Sequence, residues 1–383
     1  MARRGDAEAA FLVGEAVLNG RGAANRPATA AHWYRQAGQA GHVRAQCRLA
    51  QLHLGGYSEA VLRNEALFAP PAEPQEPDYA AALPWAHAAA QTGDAEGQTL
   101  LGQILANAPP ELRDEAASIA AYAAAAAQRH APAQLGLGIA LLLRARSPQD
   151  WETAYKEIAA AAEAGLPAAC YLLGLCAEQG LGQTPDTTAA RKHYTVAAEA
   201  GIVAAQTRLG RMLINARASD LVGETWLRRA ALRGDTEAAT LVGLLHAGDA
   251  EAVQWFRMAA EGGGLTGAFN YARCLATGSG VPRDMAGATF WLTNAAEAGF
   301  AEAQAALGAA YIDGQDVPRD IRRAKLWLLR AAKTGHAGAM FTLGVLYINT
   351  STSSVGRTAA RRWLEKAAAH GHNLAPALLA QTQ

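Results

Sequence analysis

The sequence predicts an all-α solenoid of stacked helix pairs, and three observations carry that expectation. A glycine closing an Ala-Ala-x-x-Gly type of phrase recurs at Gly41, Gly93, Gly165, Gly201, Gly234, Gly263, Gly299, Gly335 and Gly371. Arg129 stands midway between Gly93 and Gly165, so the step is 36 residues from 93 to 201 and again from 263 to 371. A period in the thirties belongs to helix-pair repeats. The second observation is a small residue at a fixed place ahead of each terminal glycine: Gly14, Ala50, Gly102, Gly138, Gly174, Gly210, Gly243, Ala272, Gly308 and Gly344. The third is that seven of the eight tryptophans, all but Trp151, lie eight residues before a terminal glycine.

One unit, residues 301–335, shows how each element is specified. Ala303, Leu307, Gly308 and Tyr311 share one face of a first helix. Gly314 breaks it, and Pro318 keeps the following loop from being helical. Asp320 is placed to cap a second helix, whose apolar stripe is Ala324, Trp327, Leu328, Ala331 and Ala332. Gly335 ends it, because glycine tolerates the left-handed conformation at a helix C-terminus. A glycine inside a helix costs about 1 kcal/mol against alanine. The recurrence of the Gly308 position therefore implies close approach of a neighbouring helix. The tryptophans, one per repeat, are expected in the inter-repeat core.

The stretches LGAAYIDGQDVPRDIRRAKLWLLRAAKTG and GSGVPRDMAGATFWLTNAAEAG resemble the Sel1-like repeat, a relative of the tetratricopeptide repeat. Shared features are a Leu-Gly-x-x-Tyr helix, a Gly-x-x-Val-x-x-Asp loop, an Ala-x-x-Trp helix and an Ala-Ala-x-x-Gly end. The expected fold is an all-α, right-handed α-solenoid of about ten Sel1-like helix-turn-helix repeats, one domain over 1–383. The units end near 41, 93, 129, 165, 201, 234, 263, 299, 335 and 371. The second carries a Pro-rich insertion over about 55–78, with a short helix expected at Glu59 to Leu67. The third, fourth and fifth lack tryptophan at its usual place. The sixth and seventh are shortened between their helices, which predicts a change of curvature near 201–263. Residues 372–383 read as a C-terminal capping helix.

Charge and motif content narrow the function. The 34 basic residues balance 34 acidic ones, so there is no excess to neutralise a phosphate backbone and nucleic acid is not an expected partner. No apolar run is long enough for a membrane span or a signal peptide, and a cytoplasmic location is expected, periplasmic if a leader has been removed. Cys47, Cys170, Cys176 and Cys274 read as buried hydrophobes. His42, His130, His336 and His372 follow the terminal position and belong to the inter-repeat turn. His370 and His372 flank Gly371 without a third ligand, and no metal or cofactor is expected. No sequence signature joins a nucleophile to a base, so no enzyme is expected. Some cysteine-rich Sel1-like proteins are associated with β-lactams, but this chain lacks their repeated cysteine pairs.

In stacked helix pairs the first helices line a concave surface. Relative to the Gly308 position, offsets −6, −3, +1, +4 and +5 are expected to face it. These give Phe11, Glu15, Asn19, Arg44, Gln51, Glu96, Gln103, Asn107, Tyr171, Gln179, Arg211, Asn215, Phe269, Arg273, Asp313, Phe341 and Asn349 as candidate contacts to a protein or peptide. Phe11, Phe269 and Phe341 stand out as aromatic anchors. The expected function is a non-catalytic bacterial scaffold or adaptor; the alternative is a cell-envelope protein that binds peptidoglycan or a secreted partner.

Overall fold

The computed structural model describes residues 6–20, 27–56, 76–216, 220–315, 317–350 and 353–381. Among them the only regular elements are helices. The first five pairs are α1 (Ala7–Leu18) with α2 (Pro27–Gln39), α3 (Val43–Leu54) with α4 (Tyr79–Gln91), α5 (Ala95–Asn107) with α6 (Glu115–Ala126), α7 (Ala131–Arg144) with α8 (Pro148–Glu163), and α9 (Pro167–Gln179) with α10 (Thr187–Glu199). The other five are α11 (Val203–Asn215) with α12 (Asp220–Ala231), α13 (Thr236–Leu245) with α14 (Ala250–Glu261), α15 (Leu265–Thr277) with α16 (Met285–Glu297), α17 (Ala301–Asp313) with α18 (Ile321–Lys333), and α19 (Ala337–Thr350) with α20 (Ser354–Ala369). A last helix, α21 (Ala375–Gln381), buries Ala375 in the core of the final pair.

The pairs group into two compact units, Met1–Ala200 and Gly201–Gln383. Within each unit a helix pair touches the next pair along the chain, and neighbouring first helices also meet, as α3 meets α5 and α13 meets α15. The helix expected at Glu59 to Leu67 and most of the Pro-rich insertion lie outside the described residues.

The recurring glycines do two different jobs. At the end of each second helix the backbone turns left-handed, with φ 96° at Gly299 and 92° at Gly335. Arg129 adopts the same turn at φ 59° and is the only described non-glycine residue with positive φ. L-residues meet a steric penalty there that glycine escapes. Inside the first helix the reason is contact. A Cβ on Gly243 would lie 2.6 Å from the Phe256 ring, and one on Gly308 would lie 2.7 Å from Leu328.

The filler of this notch is the residue after the tryptophan position, which sequence reasoning did not single out. It is Tyr34, Tyr122, Ile158, Tyr194, Leu227, Phe256, Leu328 and Leu364 opposite Gly14, Gly102, Gly138, Gly174, Gly210, Gly243, Gly308 and Gly344. The tryptophans themselves belong to the seam between pairs, as expected. Trp85 packs against the core shared by the first and second pairs around Ala30, Ala37 and Leu49. Trp327 packs with Ala295, Ala296 and Ala303 of the preceding pair and its neighbour.

Helix starts follow the sequence signals. The Asp320 carboxylate accepts hydrogen bonds from the Arg322 and Arg323 amides at 2.9 and 3.0 Å. Asp78, Asp114, Asp186 and Asp284 cap other second helices in the same way. His42 and His336 cap first helices through Nδ1, at 3.1 and 3.0 Å from the Ala45 and Ala339 amides. The four thiols are free and buried. Burial, helped by Glu96 and Asp94, pushes Cys47 up to about 12, and burial pushes Cys176 up to about 11.

Candidate partner-binding face

The first helices put the candidate residues in two classes. Offsets −6, +1 and +5 point outward: Asn19, Arg44, Glu96, Gln103, Asn107 and Gln179 are exposed in the first unit, and Asn215, Arg273, Asp313 and Asn349 in the second. Glu15, Gln51 and Arg211 are half-buried. Neighbouring first helices are laced side to side along this face. Arg48 donates to Glu15 at 3.1 Å and to Gln51 at 3.0 Å, and Gln51 donates to Glu96 at 3.2 Å. In the second unit Arg211 pairs with Glu237 at 2.8 Å, again joining a +1 position to the −6 position of the next pair.

Offset −3 does not face a groove. Phe11 is only 2% exposed and sits in the core of the first pairs, and Cys47, Thr207 and Thr240 are buried too. Phe269, Phe341 and Tyr171 are half-buried. The reason is angular. At 3.6 residues per turn, position −3 lies about 60° around the helix from the notch and +4 about 40°, both close to the packing side. Positions +1, −6 and +5 lie about 100°, 120° and 140° away.

The −3 residue instead meets the start of the following pair. Phe11 stacks on His42 with centroids 4.7 Å apart, and Phe341 stacks on His372 at 4.1 Å and 13°. Phe269 tilts against Phe300 at 5.7 Å, and the Thr99 hydroxyl lies 2.8 Å from His130 Nδ1. Each of these partners is 31 residues further on. The aromatic anchors expected of the groove are therefore seam residues. Replacing Phe269, Arg273 and Phe341 together disturbs packing as well as surface.

The asparagines at +5 have a local task. Asn19 donates to the Glu15 carbonyl at 2.8 Å and Asn107 to the Gln103 carbonyl at 2.9 Å, closing the ends of their own helices. His370 and His372 are engaged separately, His370 Nδ1 against the Lys366 carbonyl at 2.9 Å and His372 on Phe341. Among the described residues no group of His, Cys, Asp and Glu is placed to hold a metal ion, and no helix is long and apolar enough to cross a membrane.

A charged cluster not anticipated from the sequence joins the sixth and seventh pairs. Arg228 of α12 reaches Glu224 at 2.6 Å and Glu251 of α14 at 2.5 Å. His246, in the short link between α13 and α14, lies 2.9 Å from Glu224. Trp255 donates its indole N–H to Glu251 at 3.1 Å, beneath the Arg228 guanidinium. Burial pushes the Glu224 carboxyl up, but hydrogen bonds from His246 and Arg228 outweigh it and hold the group low. Hydrogen bonds from Arg228 and Trp255 hold Glu251 low as well.

A family model described as Sel1 repeat matches residues 7–42, 43–67, 167–202, 203–235, 248–264, 266–300, 301–336 and 338–372. The chain belongs to the Sel1 repeat family. The matched Sel1 segments stop at 67 and resume at 167, yet α4 to α8 continue the same helix-pair pattern between them. There the terminal glycine gives way to Arg129 and the tryptophan positions to Ala121 and Glu157. Among solved structures, a Sel1 repeat protein from Oxalobacter formigenes is 29% identical, with TM-score 0.60, covering 78% of this chain and 89% of that one. A protective antigen of uropathogenic Escherichia coli, c5321, with the same repeat fold, is 24% identical, with TM-score 0.50, covering 100% of this chain and 88% of that one. No curated protein sequence matches the chain.

Proposed function

We propose that this Sel1 repeat protein is a non-catalytic scaffold or adaptor that binds a protein or peptide along the outward side of its first helices. Sel1 repeats generally mediate protein–protein interaction and are generally non-catalytic. The observation that carries the reading is the alignment of exposed polar side chains at offsets −6, +1 and +5 on successive first helices, already laced by Glu15, Arg48, Gln51 and Glu96. A laced, pre-ordered surface lowers the ordering cost of binding.

Photo-crosslinking residues placed one at a time at Gln103, Gln179, Arg273 and Asp313 test the proposal in source-cell extract. The expected outcome is one shared partner captured from these positions and not from Phe290 or Leu326 on second helices, both exposed. Equal capture from both sets rejects the first-helix face.

A further inference from the structure

The seam between the eighth and ninth pairs contains a cavity of about 320 Å³, lined by α15, α16 and α17 and by Val317 from the loop before α18. Its walls are Phe269, Ala272, Ala276, Met285, Leu292 and Ala310 with their neighbours, and among the described residues Arg273 is the only charged one that lines it. One step along, the corresponding seam is filled. Ile312, Ile321 and Leu346 stand 36 residues after Ala276, Met285 and Ala310, and all three pack in the core of the last pairs. The cavity thus follows from two alanines where the next seam has isoleucine and leucine. Phe269, with Ala305 as its counterpart, offsets only part of the lost volume.

Arg273 differs from its register equivalent as well. Arg211, also at offset +1, is held by Glu237 at the −6 position of the next pair. Glu302 occupies that −6 position opposite Arg273, yet among the described residues Arg273 makes no ion pair. A cavity of this size, apolar inside with one cation at its wall, has the make-up of a small-molecule site. A guanidinium matches a carboxylate in geometry and charge.

We infer that the cavity between the eighth and ninth pairs binds an apolar chain or ring ending in a carboxylate, the apolar part enclosed between Ala276, Met285 and Ala310 and the carboxylate on Arg273. The site shares Arg273 with the outward face of the first helices, but its apolar part lies in the seam between pairs, so filling the seam tests it separately from that face. The same chemistry is offered by a free monocarboxylate and by the C-terminal residue of a peptide.

Calorimetric titration of the full chain with sodium octanoate, with 1-octanol, and with a tetrapeptide ending in a free leucine carboxylate tests it. At least one carboxylate probe is expected to give a 1:1 isotherm. Octanoate alone identifies a free acid as the ligand type, and the tetrapeptide alone identifies a chain end. Arg273→Gln should weaken the carboxylate that binds by about tenfold or more and leave octanol unchanged. Ala276→Ile with Ala310→Leu, which copies the filled seam, should abolish binding while circular dichroism stays helical. The assignment is overturned if neither carboxylate binds, if binding survives in the filled variant, or if Arg273→Gln binds as tightly as the parent.

Discussion

Single residues set the repeat by two separate constraints, one conformational and one steric. Arg129 isolates the first: it holds the left-handed turn at φ 59° that glycine holds elsewhere. Arg129→Gly should therefore raise stability by about 0.5–1 kcal/mol, the left-handed penalty less the extra freedom glycine has when unfolded. A urea midpoint shifted upward checks this. Gly243→Ala isolates the second, since the buried Phe256 ring has no room to retreat. About 1–3 kcal/mol of destabilisation is expected, as for other overpacked cores. The sequence made the notch legible, because a glycine inside a helix needs a reason. It did not show which of two adjacent apolar residues fills it. Trp327 and Leu328 are both hydrophobic and about 100° apart on the helix, and only the packed structure sends one to the seam and the other to the notch.

At the scale of elements, caps and links decide where each helix begins and how it meets its neighbour. Asp320→Ala removes the acceptor of two amide hydrogen bonds at the start of α18 and should cost about 1 kcal/mol, read from the urea midpoint. Such caps were legible, because Asp ahead of an apolar stripe has one obvious use. The cluster of Glu224, Arg228, His246 and Glu251 was not, since its members are spread over three segments that approach only after the short link folds back. Both carboxyls are held low in the folded state. A depressed folded value means that the stabilisation is complete above the ordinary carboxylate range and is lost as pH falls through the folded value. Acidification should therefore loosen α12 to α14 early, and Arg228→Gln should remove much of that pH dependence. Hydrogen exchange of these helices at neutral pH and at a pH below the ordinary carboxylate range compares the two. Equal acid sensitivity in parent and variant rejects a role for the cluster.

Across the whole molecule, stability is expected to be regional, because each pair couples to its neighbours and not to a common core. Leu364, fully buried opposite Gly344, is a suitable probe. Leu364→Ala should cost about 2–5 kcal/mol and speed amide exchange in α17 to α21 while leaving Met1–Ala200 unchanged. Faster exchange throughout would mean that the array unfolds as a single body. The helix-pair pattern was legible within each unit, since even the stretch 68–166, outside the family match, keeps the period. The outward side of the first helices was legible only in part. Counting residues around a helix located the outward positions −6, +1 and +5. It misjudged −3, which lies near the boundary between packing and exposed sides, and there the Phe–His contacts to the next pair decide. The cavity beside Arg273 was hidden because it arises from Ala276 and Ala310 together, 34 residues apart, and neither is unusual alone.

The turn glycines also bear on how such a chain tolerates mutational drift. At Gly41, Gly93, Gly165, Gly234, Gly263, Gly299 and Gly371 an added Cβ would meet nothing within 4 Å. Losing glycine at these turns costs only backbone conformation, a modest and nearly uniform amount each time. Arg129 shows the chain already carrying one such loss. With pairs coupled only to neighbours, further losses would add and not compound. A lineage could exchange these glycines one by one, its turns fading from the sequence while the helices they separate stay in place.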